Sequence, residues 1–168
     1  TAVVTVADDG GSSGILRSDL GMLAPGDVRN CVSALAEVDP VMGELLNFRF
    51  KDGSLKGHSL GNLFLAALNE TSSSFDEAVK KFSHLTGVVG TVYPVTNESV
   101  TLSALLEDGR LIEGESHIGV HHDGPKNGIV KLMVNPEKPK AVDGVIKALE
   151  KADIIVLGPG SLYTSIIP

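Results

Sequence analysis

The chain has 168 residues, of which 42% are hydrophobic and 19 are glycine, a composition typical of a single soluble α/β domain. Aromatic residues make up only 4% and tryptophan is absent, which argues against a platform for stacking nucleic-acid bases. The net charge of −7 also disfavours nucleic acid as a partner. A small phosphate ligand stays compatible, because local backbone N–H groups and one or two cations, such as Arg17, Arg29 or Lys56, are enough to hold it.

The sequence carries no signal for membrane insertion or export. No apolar run approaches the roughly 18 residues of a membrane span, and no charged region precedes an apolar one at the start. The lone Cys31 has no partner for an intramolecular disulfide, so we expect a cytoplasmic protein with no membrane partner. The chain begins without Met inside an expected strand and ends at Pro168 where a helix should start. We therefore expect residues 1–168 to be a single domain and a fragment of a longer protein.

The first half of the chain predicts one strand followed by four helices. Residues 2–6 form an apolar run, and the Gly/Ser-rich segment 8–14 after it has the composition of a loop. Helices are expected over about 27–38, 40–48 and 59–68, the first of them capped by Asp27. Ser74 and Glu77 have the spacing of a capping box, which predicts a fourth helix that ends before Gly87.

The second half changes to the two-residue period of strands. Residues 88–95 predict one strand, and residues 100–106 are joined to 110–114 through Asp108-Gly109, a pair typical of a type I′ hairpin turn. A strand over 129–134, a helix over 141–151 and a final strand over 153–157 follow. We expect an α/β fold with a mixed, mainly parallel sheet, interrupted by the antiparallel hairpin.

Two junctions between a strand and a glycine-rich loop predict a shared ligand site. One is the loop 8–14, and the other leads from the last expected strand through Gly158-Pro159-Gly160 into a Ser/Thr-rich helix start. Such a junction points backbone N–H groups and the positive end of a helix at one spot, which favours phosphate. Since loops after parallel strands meet at the carboxyl edge of the sheet, we expect both to line one crevice.

Several side chains beside these loops are candidates for the chemistry. Asp8 and Asp9 can hold Mg²⁺ on a phosphate or bind a hydroxyl, although Asp-Asp-Gly-Gly is also good turn chemistry. Arg29 lies in a first helical turn, where a cation opposes the dipole, so a ligand phosphate or the two aspartates are a reason for it. His58 can contact a phosphate, act as acid or base, or be merely structural.

The candidate ligand-binding set is completed by loop and helix-start residues that offer N–H, hydroxyl or amide groups. These are Gly10, Gly11, Ser12, Ser13, Gly14, Asn30, Asn62, Thr96, Gly158, Pro159, Gly160, Ser161, Tyr163 and Thr164. Thr96 follows a strand and is equally explained by a plain turn. His121-His122-Asp123 is a weak metal candidate, because neighbouring histidines seldom converge on one ion. No established catalytic motif is present, so the residues alone indicate a domain that binds a phosphorylated ligand.

Four segments in order resemble the CofD-like family, specifically its YvcK branch, the so-called gluconeogenesis factors of bacteria. They are VTVADDGGSSG (4–14), PGDVRN (25–30), GHSLGN (57–62) and ADIIVLGPGSLYTS (152–165). The resemblance implies a three-layer α/β/α Rossmann-like fold whose first strand and glycine loop would precede Thr1. It also implies a cytoplasmic, regulatory protein that binds a nucleotide sugar such as UDP-N-acetylglucosamine and supports cell-wall synthesis, cell shape and growth on gluconeogenic carbon sources.

The sister CofD branch offers a second hypothesis. The resemblance implies a transferase there, which moves 2-phospholactate from a guanosine nucleotide to a deazaflavin during coenzyme F420 synthesis, with Asp8 and Asp9 at the deazaflavin. After that pair the sequence continues as in the YvcK branch, which favours a binding protein over an enzyme. A homodimer, an unidentified regulatory partner, and Mg²⁺ accompanying a nucleotide ligand stay open alternatives.

Overall fold

The computed structural model describes residues 1–119 and 127–168. The strands in this part of the chain are β1 (Ala2–Val4), β2 (Val92–Pro94), β3 (Thr101–Leu106), β4 (Leu111–Glu113) and β5 (Ile129–Asn135). The α-helices are α1 (Gly11–Leu20), α2 (Gly26–Leu35), α3 (Pro40–Asn47), α4 (Leu60–Glu70), α5 (Phe75–Leu85), α6 (Glu115–Gly119) and α7 (Asp143–Glu150). A π-helical turn over Leu162–Ile166 follows them.

The described strands form two sheets, one parallel and one antiparallel. β1 and β2 pair in parallel, with Ala2 opposite Val92 and Val4 opposite Pro94. The second sheet has the order β4-β3-β5, with β3 antiparallel to both neighbours. The mixed α/β class and the hairpin predicted from the sequence are thereby confirmed.

The helix boundaries follow the capping residues of the sequence. The Ser74 side chain accepts a hydrogen bond from the Glu77 backbone N–H at the start of α5, and Gly87 adopts a φ of 60° two residues after its end. At the start of α4, the Ser59 side chain accepts a bond from the Asn62 N–H at 3.2 Å. Each such cap satisfies one of the N–H groups that a helix start leaves without a partner.

The core lies between the parallel strands and the helices that follow them. Val28 and Val32 of α2, Leu65 of α4 and Phe82 of α5 are completely buried. They belong to one apolar cluster that also contains side chains from β1, β2 and β3. Because this cluster fixes α2 and α4 against the strands, the polar residues at the starts of both helices have fixed positions.

Three local predictions were wrong. Gly11, Ser12, Ser13 and Gly14 form the first turn of α1 rather than a loop. Asp27 does not cap α2, because Pro25 is the N-cap residue and Asp27 lies within the first turn. The strand expected over 88–95 is confined to β2, since Val88 makes only an isolated bridge to Ala36.

The hairpin turn is not of type I′. The Gly109 N–H donates to Leu106 O and the Leu106 N–H donates to Arg110 O, which closes a loop of three residues. Asp108 has a negative φ and Gly109 a φ of 85°. This is the pattern of a type I turn followed by a left-handed glycine, the usual alternative for a three-residue hairpin loop.

The strand expected over 153–157 is also absent from the described part of the chain. The side chains of Ile154, Val156 and Leu157 are 79–81% exposed rather than buried. The segment lies along a cleft of about 770 Å³ that separates it from β1. It has no hydrogen-bonded neighbour strand among the described residues, so its apolar pattern does not produce a paired strand. Within residues 1–119 and 127–168, no helix has the length and apolar character needed to cross a bilayer.

Candidate functional site

Four residues of the predicted site meet in a buried chain of hydrogen bonds. Ser12 Oγ lies 3.0 Å from His58 Nδ1 and accepts a bond from Asn62 Nδ2 at 3.1 Å. Asn62 Oδ1 accepts from Arg29 Nε at 3.2 Å, and Asn47 Oδ1 accepts from Arg29 Nη1 at 2.9 Å. We call Ser12, Arg29, Asn47, His58 and Asn62 the buried polar network; all but Asn47 are buried.

The network is built from the starts of three helices and the last residue of α3, Asn47. Ser12 lies in the first turn of α1, Arg29 in that of α2 and Asn62 in that of α4, and His58 stands just before the α4 cap. A Cβ on Gly61 would lie 2.6 Å from Leu46 O and 2.9 Å from Arg29 Cδ. Gly61 is therefore required for the close approach of Arg29 to α4, which explains a glycine inside a helix.

Arg29 is a buried cation whose hydrogen bonds, among the described residues, go to neutral groups, although the charge of Asp27 raises its pKa. No carboxylate lies within ion-pair distance of its guanidinium among the described residues, and its two recorded acceptors are neutral amide oxygens. Burial lowers the pKa of Arg29, and the nearby Arg49 lowers it further. Asn47, which the sequence did not single out, is held in place by its own bond from Nδ2 to Gly43 O.

The two adjacent aspartates have different partners. Asp8 Oδ1 accepts a bond from the Gly10 N–H at 2.9 Å, as in a local turn. Asp9 reaches across to α6, where its carboxylate accepts from the Glu115 N–H at 2.9 Å and the Ser116 N–H at 2.8 Å. Burial raises the pKa of Asp9, but these hydrogen bonds outweigh it and leave the pKa below its ordinary value.

The Asp9 contact depends on the glycine that precedes α6. A Cβ on Gly114 would lie 2.7 Å from Asp9 Oδ2, and Gly114 has a φ of 96°. A side chain at position 114 would displace the Asp9 carboxylate. The start of α6 is therefore capped by Asp9, from a distant loop, and not by a side chain at position 114.

Arg17 supports the aspartate loop through bonds to backbone carbonyls. Its Nη1 donates to Ala7 O and Asp8 O, and its Nη2 donates to Val100 O at 2.8 Å. The guanidinium thus joins the end of the first strand region to the start of β3. Arg17 was a candidate phosphate cation in the sequence, and in the structure these backbone carbonyls accept from its Nη1 and Nη2.

Two further acids lie near Asp8, and the sequence did not identify either as a site residue. Burial and the charge of Asp8 raise the pKa of Asp27. Burial also raises the pKa of Glu115, with the charges of Asp8, Asp9 and Asp27 acting in the same direction. Their positions depend on the packing of α2 and α6, which no local motif encodes.

The C-terminal glycine loop reaches the same region. Gly158, Pro159 and Gly160 line the 770 Å³ cleft together with Asp27 and Asn30 of α2. Thr164 is buried, and its contact with the Glu115 carboxyl lowers the pKa of that group against the larger effect of burial. Since Glu115 is bonded through its N–H to Asp9, the two glycine loops lie at the same end of the molecule.

The other predicted site residues are placed as follows. Ser13 is buried, Ser161 is the N-cap residue of the π-helical turn, and Tyr163 is 39% exposed within that turn. The Thr96 hydroxyl donates to Lys140 O at 2.6 Å and accepts from the Glu98 N–H. Among residues 1–119 and 127–168, no hydrogen bond joins Thr96 to the buried polar network.

Metal binding finds no support in the part of the chain that the structure describes. There, no group of three or more His, Cys, Asp and Glu side chains is placed to hold a metal ion. The candidate His121-His122-Asp123 lies outside the described residues.

In this mixed α/β fold, a buried arginine, a histidine and an amide lie at converging helix starts, at the same end of the molecule as the two glycine loops. The family model described as 2-phospho-L-lactate transferase CofD matches residues 1–168. The chain is 55% identical over 168 residues to the "Putative gluconeogenesis factor" of Thermoanaerobacterium thermosulfurigenes, with all of this chain and 52% of the relative covered. It is 47% identical over 171 residues to the "Gluconeogenesis factor" of Bacillus subtilis, again with 100% of this chain and 52% of the relative covered.

A crystal structure of a UPF0052 family member from Bacillus halodurans has the same fold. It superposes with a TM-score of 0.93 at 44% identity, covering 99% of this chain and 52% of that one. The chain thus spans about half the length of these relatives. The chain belongs to the CofD family, in its branch of gluconeogenesis factors, as the four sequence segments predicted.

Proposed function

We propose that the chain is the nucleotide-sugar-binding part of a cytoplasmic regulatory protein of the gluconeogenesis factor group, with a ligand of the UDP-N-acetylglucosamine type. The observation that carries the proposal is the buried guanidinium of Arg29, which contacts two amide oxygens and no carboxylate among the described residues. A diphosphate would supply the negative charge that this cation lacks.

The energetic reason lies in the cost of burying a charge. Buried charges are normally paired, because taking an isolated ion out of water costs several kcal/mol. Arg29 is 6% exposed, so solvent compensates little of this cost. A phosphate oxygen can accept from a guanidinium in bidentate geometry, which makes such a site favourable for a phosphorylated ligand.

The acids nearby suit the sugar part of the same ligand. Asp8 and Asp27 offer carboxylate oxygens, and Asn30 offers an amide beside the Gly158–Gly160 loop. Carboxylates repel phosphate but accept hydrogen bonds from hydroxyls. We therefore propose that the diphosphate lies beside Arg29 and that the hydroxyl-rich sugar lies beside Asp8 and Asp27.

The names of the relatives support a role linked to gluconeogenesis. We extend this to growth on gluconeogenic carbon sources, cell-wall synthesis and cell shape, with UDP-N-acetylglucosamine as the small-molecule signal. A regulator of this kind acts by binding the ligand differently in two of its states.

Calorimetry and thermal unfolding of the intact protein with UDP-N-acetylglucosamine test the ligand. A ligand that binds only the folded state raises stability by about 2.7 kcal/mol at a hundredfold excess over its dissociation constant. We expect heat of binding and a raised melting temperature. No heat and no melting shift would exclude this ligand, and a response to GDP alone would point to the alternative below.

The second candidate is transfer of 2-phospholactate to a deazaflavin. It is favoured by the description of the family model over the whole chain and by Asp8, whose Oδ2 has no recorded hydrogen-bond partner in the described residues. Incubation of the protein with activated phospholactate, deazaflavin and Mg²⁺ tests it. We expect no turnover; turnover abolished by Asp8→Asn would make the transferase the correct function.

A further inference from the structure

The orientation of the Asn62 amide is fixed by Arg29. A guanidinium has hydrogen-bond donors and no acceptor, so the Asn62 atom 3.2 Å from Arg29 Nε has to be the amide oxygen. The amide nitrogen then faces Ser12, and it donates to Ser12 Oγ at 3.1 Å. Arg29 therefore determines which kind of group Asn62 presents to Ser12.

The direction of the Ser12 hydroxyl follows from the same reasoning. Its oxygen accepts from Asn62, so its own proton needs an acceptor, and the one recorded for it within the described residues is His58 Nδ1 at 3.0 Å. Ser12 is 7% exposed, so leaving its hydroxyl proton without an acceptor would be unfavourable. Nδ1 of a neutral His58 is therefore the acceptor, and the ring proton lies on Nε2.

Nε2 of His58 also carries a proton when the ring is doubly protonated. In the imidazolium form, Nδ1–H donates to Ser12 Oγ, which has a second lone pair for it. The Ser12 hydroxyl then loses His58 as its acceptor, while Nε2 keeps its proton. Nε2 therefore carries hydrogen in both charge states.

We infer that Arg29, Asn62 and Ser12 are positioning residues that hold a proton on Nε2 of His58, so that His58 offers a hydrogen-bond donor to an anionic ligand. The inference deepens the proposed function, on which the role of this donor in binding rests. Arg29 and His58 would then both present donors, which suits a phosphate oxygen and disfavours a ligand group that itself donates.

The proton position can be measured without any ligand, from long-range ¹H–¹⁵N correlation spectra of the histidine rings. His58→Gln identifies the His58 signals among those of the five histidines. In the neutral form we expect the pattern of the Nε2–H tautomer, with Nδ1 shifted as an acceptor of a hydrogen bond. A neutral His58 with its proton on Nδ1 would overturn the inference, whether or not the protein binds a nucleotide sugar.

Asn62→Asp is the decisive variant because it replaces the donor that faces Ser12 with an acceptor of the same shape. The carboxylate would take the Ser12 proton, so Ser12 Oγ becomes an acceptor for His58, and the neutral ring should move its proton to Nδ1. Asn69→Asp, on the same helix and without a side-chain hydrogen bond to any described residue, is the matched control and should leave the His58 tautomer unchanged. An unchanged tautomer in Asn62→Asp would refute the relay.

A second pair of variants keeps the test open if Asn62→Asp does not fold. Ser12→Ala removes the donor to Nδ1, so the Nδ1 resonance should move toward that of a ring nitrogen without a hydrogen bond. Ser12→Thr retains the hydroxyl and should restore the original resonance. An Nδ1 resonance that is identical in the wild type and Ser12→Ala would show that Ser12 does not donate to His58.

Discussion

The carboxylate of Asp9 accepts a hydrogen bond from the backbone N–H of Glu115 at 2.9 Å, across 106 positions of sequence. A second bond from the Ser116 N–H makes Asp9 the cap of a helix in another part of the chain. The Asp8-Asp9 pair is thereby divided between two tasks. Asp9 holds the antiparallel hairpin and α6 in place, and Asp8 Oδ2 has no hydrogen-bond partner among the described residues.

We expect Asp9→Asn to destabilise the protein by about 1–3 kcal/mol at neutral pH, because the amide accepts with one oxygen and leaves a helix N–H without a partner. The pKa of Asp9 is lowered in the fold, so the stability it contributes is present above the unfolded pKa and is lost as pH falls through the lowered value. Urea unfolding at neutral pH and at about pH 3 should show the difference between wild type and variant shrinking in acid. Asp19→Asn, at an exposed position of α1, is the control. A difference that is constant with pH would contradict the ionic role.

Gly61→Ala should destabilise the protein by about 1–3 kcal/mol, since the added methyl group meets Leu46 O and the Arg29 side chain. Gly43→Ala is the matched control on α3, where the nearest atom to the new Cβ is Val38 Cγ2 at 3.9 Å. There we expect a gain of about 0.5–1 kcal/mol, the usual advantage of alanine in a helix. Chemical unfolding of both variants measures these changes in the free energy of unfolding. A Gly61→Ala variant as stable as Gly43→Ala would show that the close approach of Arg29 to α4 does not require a glycine.

Local patterns were sufficient to predict α2, α3, α4, α5 and α7, but not α1 or α6, and to indicate part of the candidate site. The cap at Ser74 could be predicted because it satisfies a rule that acts within one helical turn. Arg29 could be identified because a cation in the first turn of a helix is unfavourable with the dipole. The cap at Asp9 could not be predicted, because its partner is a backbone N–H on a distant helix. Asn47 was missed for the same reason. Its role is to accept a hydrogen bond from Arg29, and no local sequence pattern places these two residues together.

The failed strand over 153–157 has a different cause. Four consecutive apolar residues predict burial, but burial needs a neighbouring element, and none pairs with this segment in the described part of the chain. The hairpin turn failed for a third reason, since Asp108-Gly109 fits both a two-residue and a three-residue loop. The hydrogen bonds of Leu106 with Gly109 and Arg110 show that the loop has three residues.

The exposed segment and the core should respond differently to truncation. Leu65→Ala removes a completely buried side chain and should cost about 2–5 kcal/mol. Leu157→Ala removes a side chain that is 79% exposed and should change the unfolding free energy by less than about 0.5 kcal/mol. Denaturant unfolding of residues 1–168 measures both. A large loss in Leu157→Ala would mean that the segment is covered in solution.

Arg29→Lys should reduce affinity for the nucleotide sugar at least tenfold while the protein stays folded. A lysine ammonium is a point charge on a flexible stem and cannot donate to Asn47 and Asn62 in the fixed fork that Arg29 provides. Arg110→Lys makes the same change in the exposed hairpin and should leave the affinity unchanged. Titration calorimetry of the two variants compares them, and equal affinities would remove Arg29 from the binding site.

Asp27→Asn should raise the stability of the protein at neutral pH. Burial and the neighbouring Asp8 raise the pKa of Asp27, so the fold favours its protonated form. The contribution of such a group to stability is present below its unfolded pKa and is lost as pH rises through the raised value, which leaves the ionised Asp27 unfavourable at neutral pH. Asparagine removes that charge. The denaturant midpoint of the variant should therefore exceed that of the wild type at neutral pH, and the gain should vanish below about pH 4. Asp143→Asn changes an exposed residue in the first turn of α7 and should show no such gain. A lower midpoint for Asp27→Asn at neutral pH would mean that the attraction between Asp27 and Arg29 outweighs the effect of burial on Asp27.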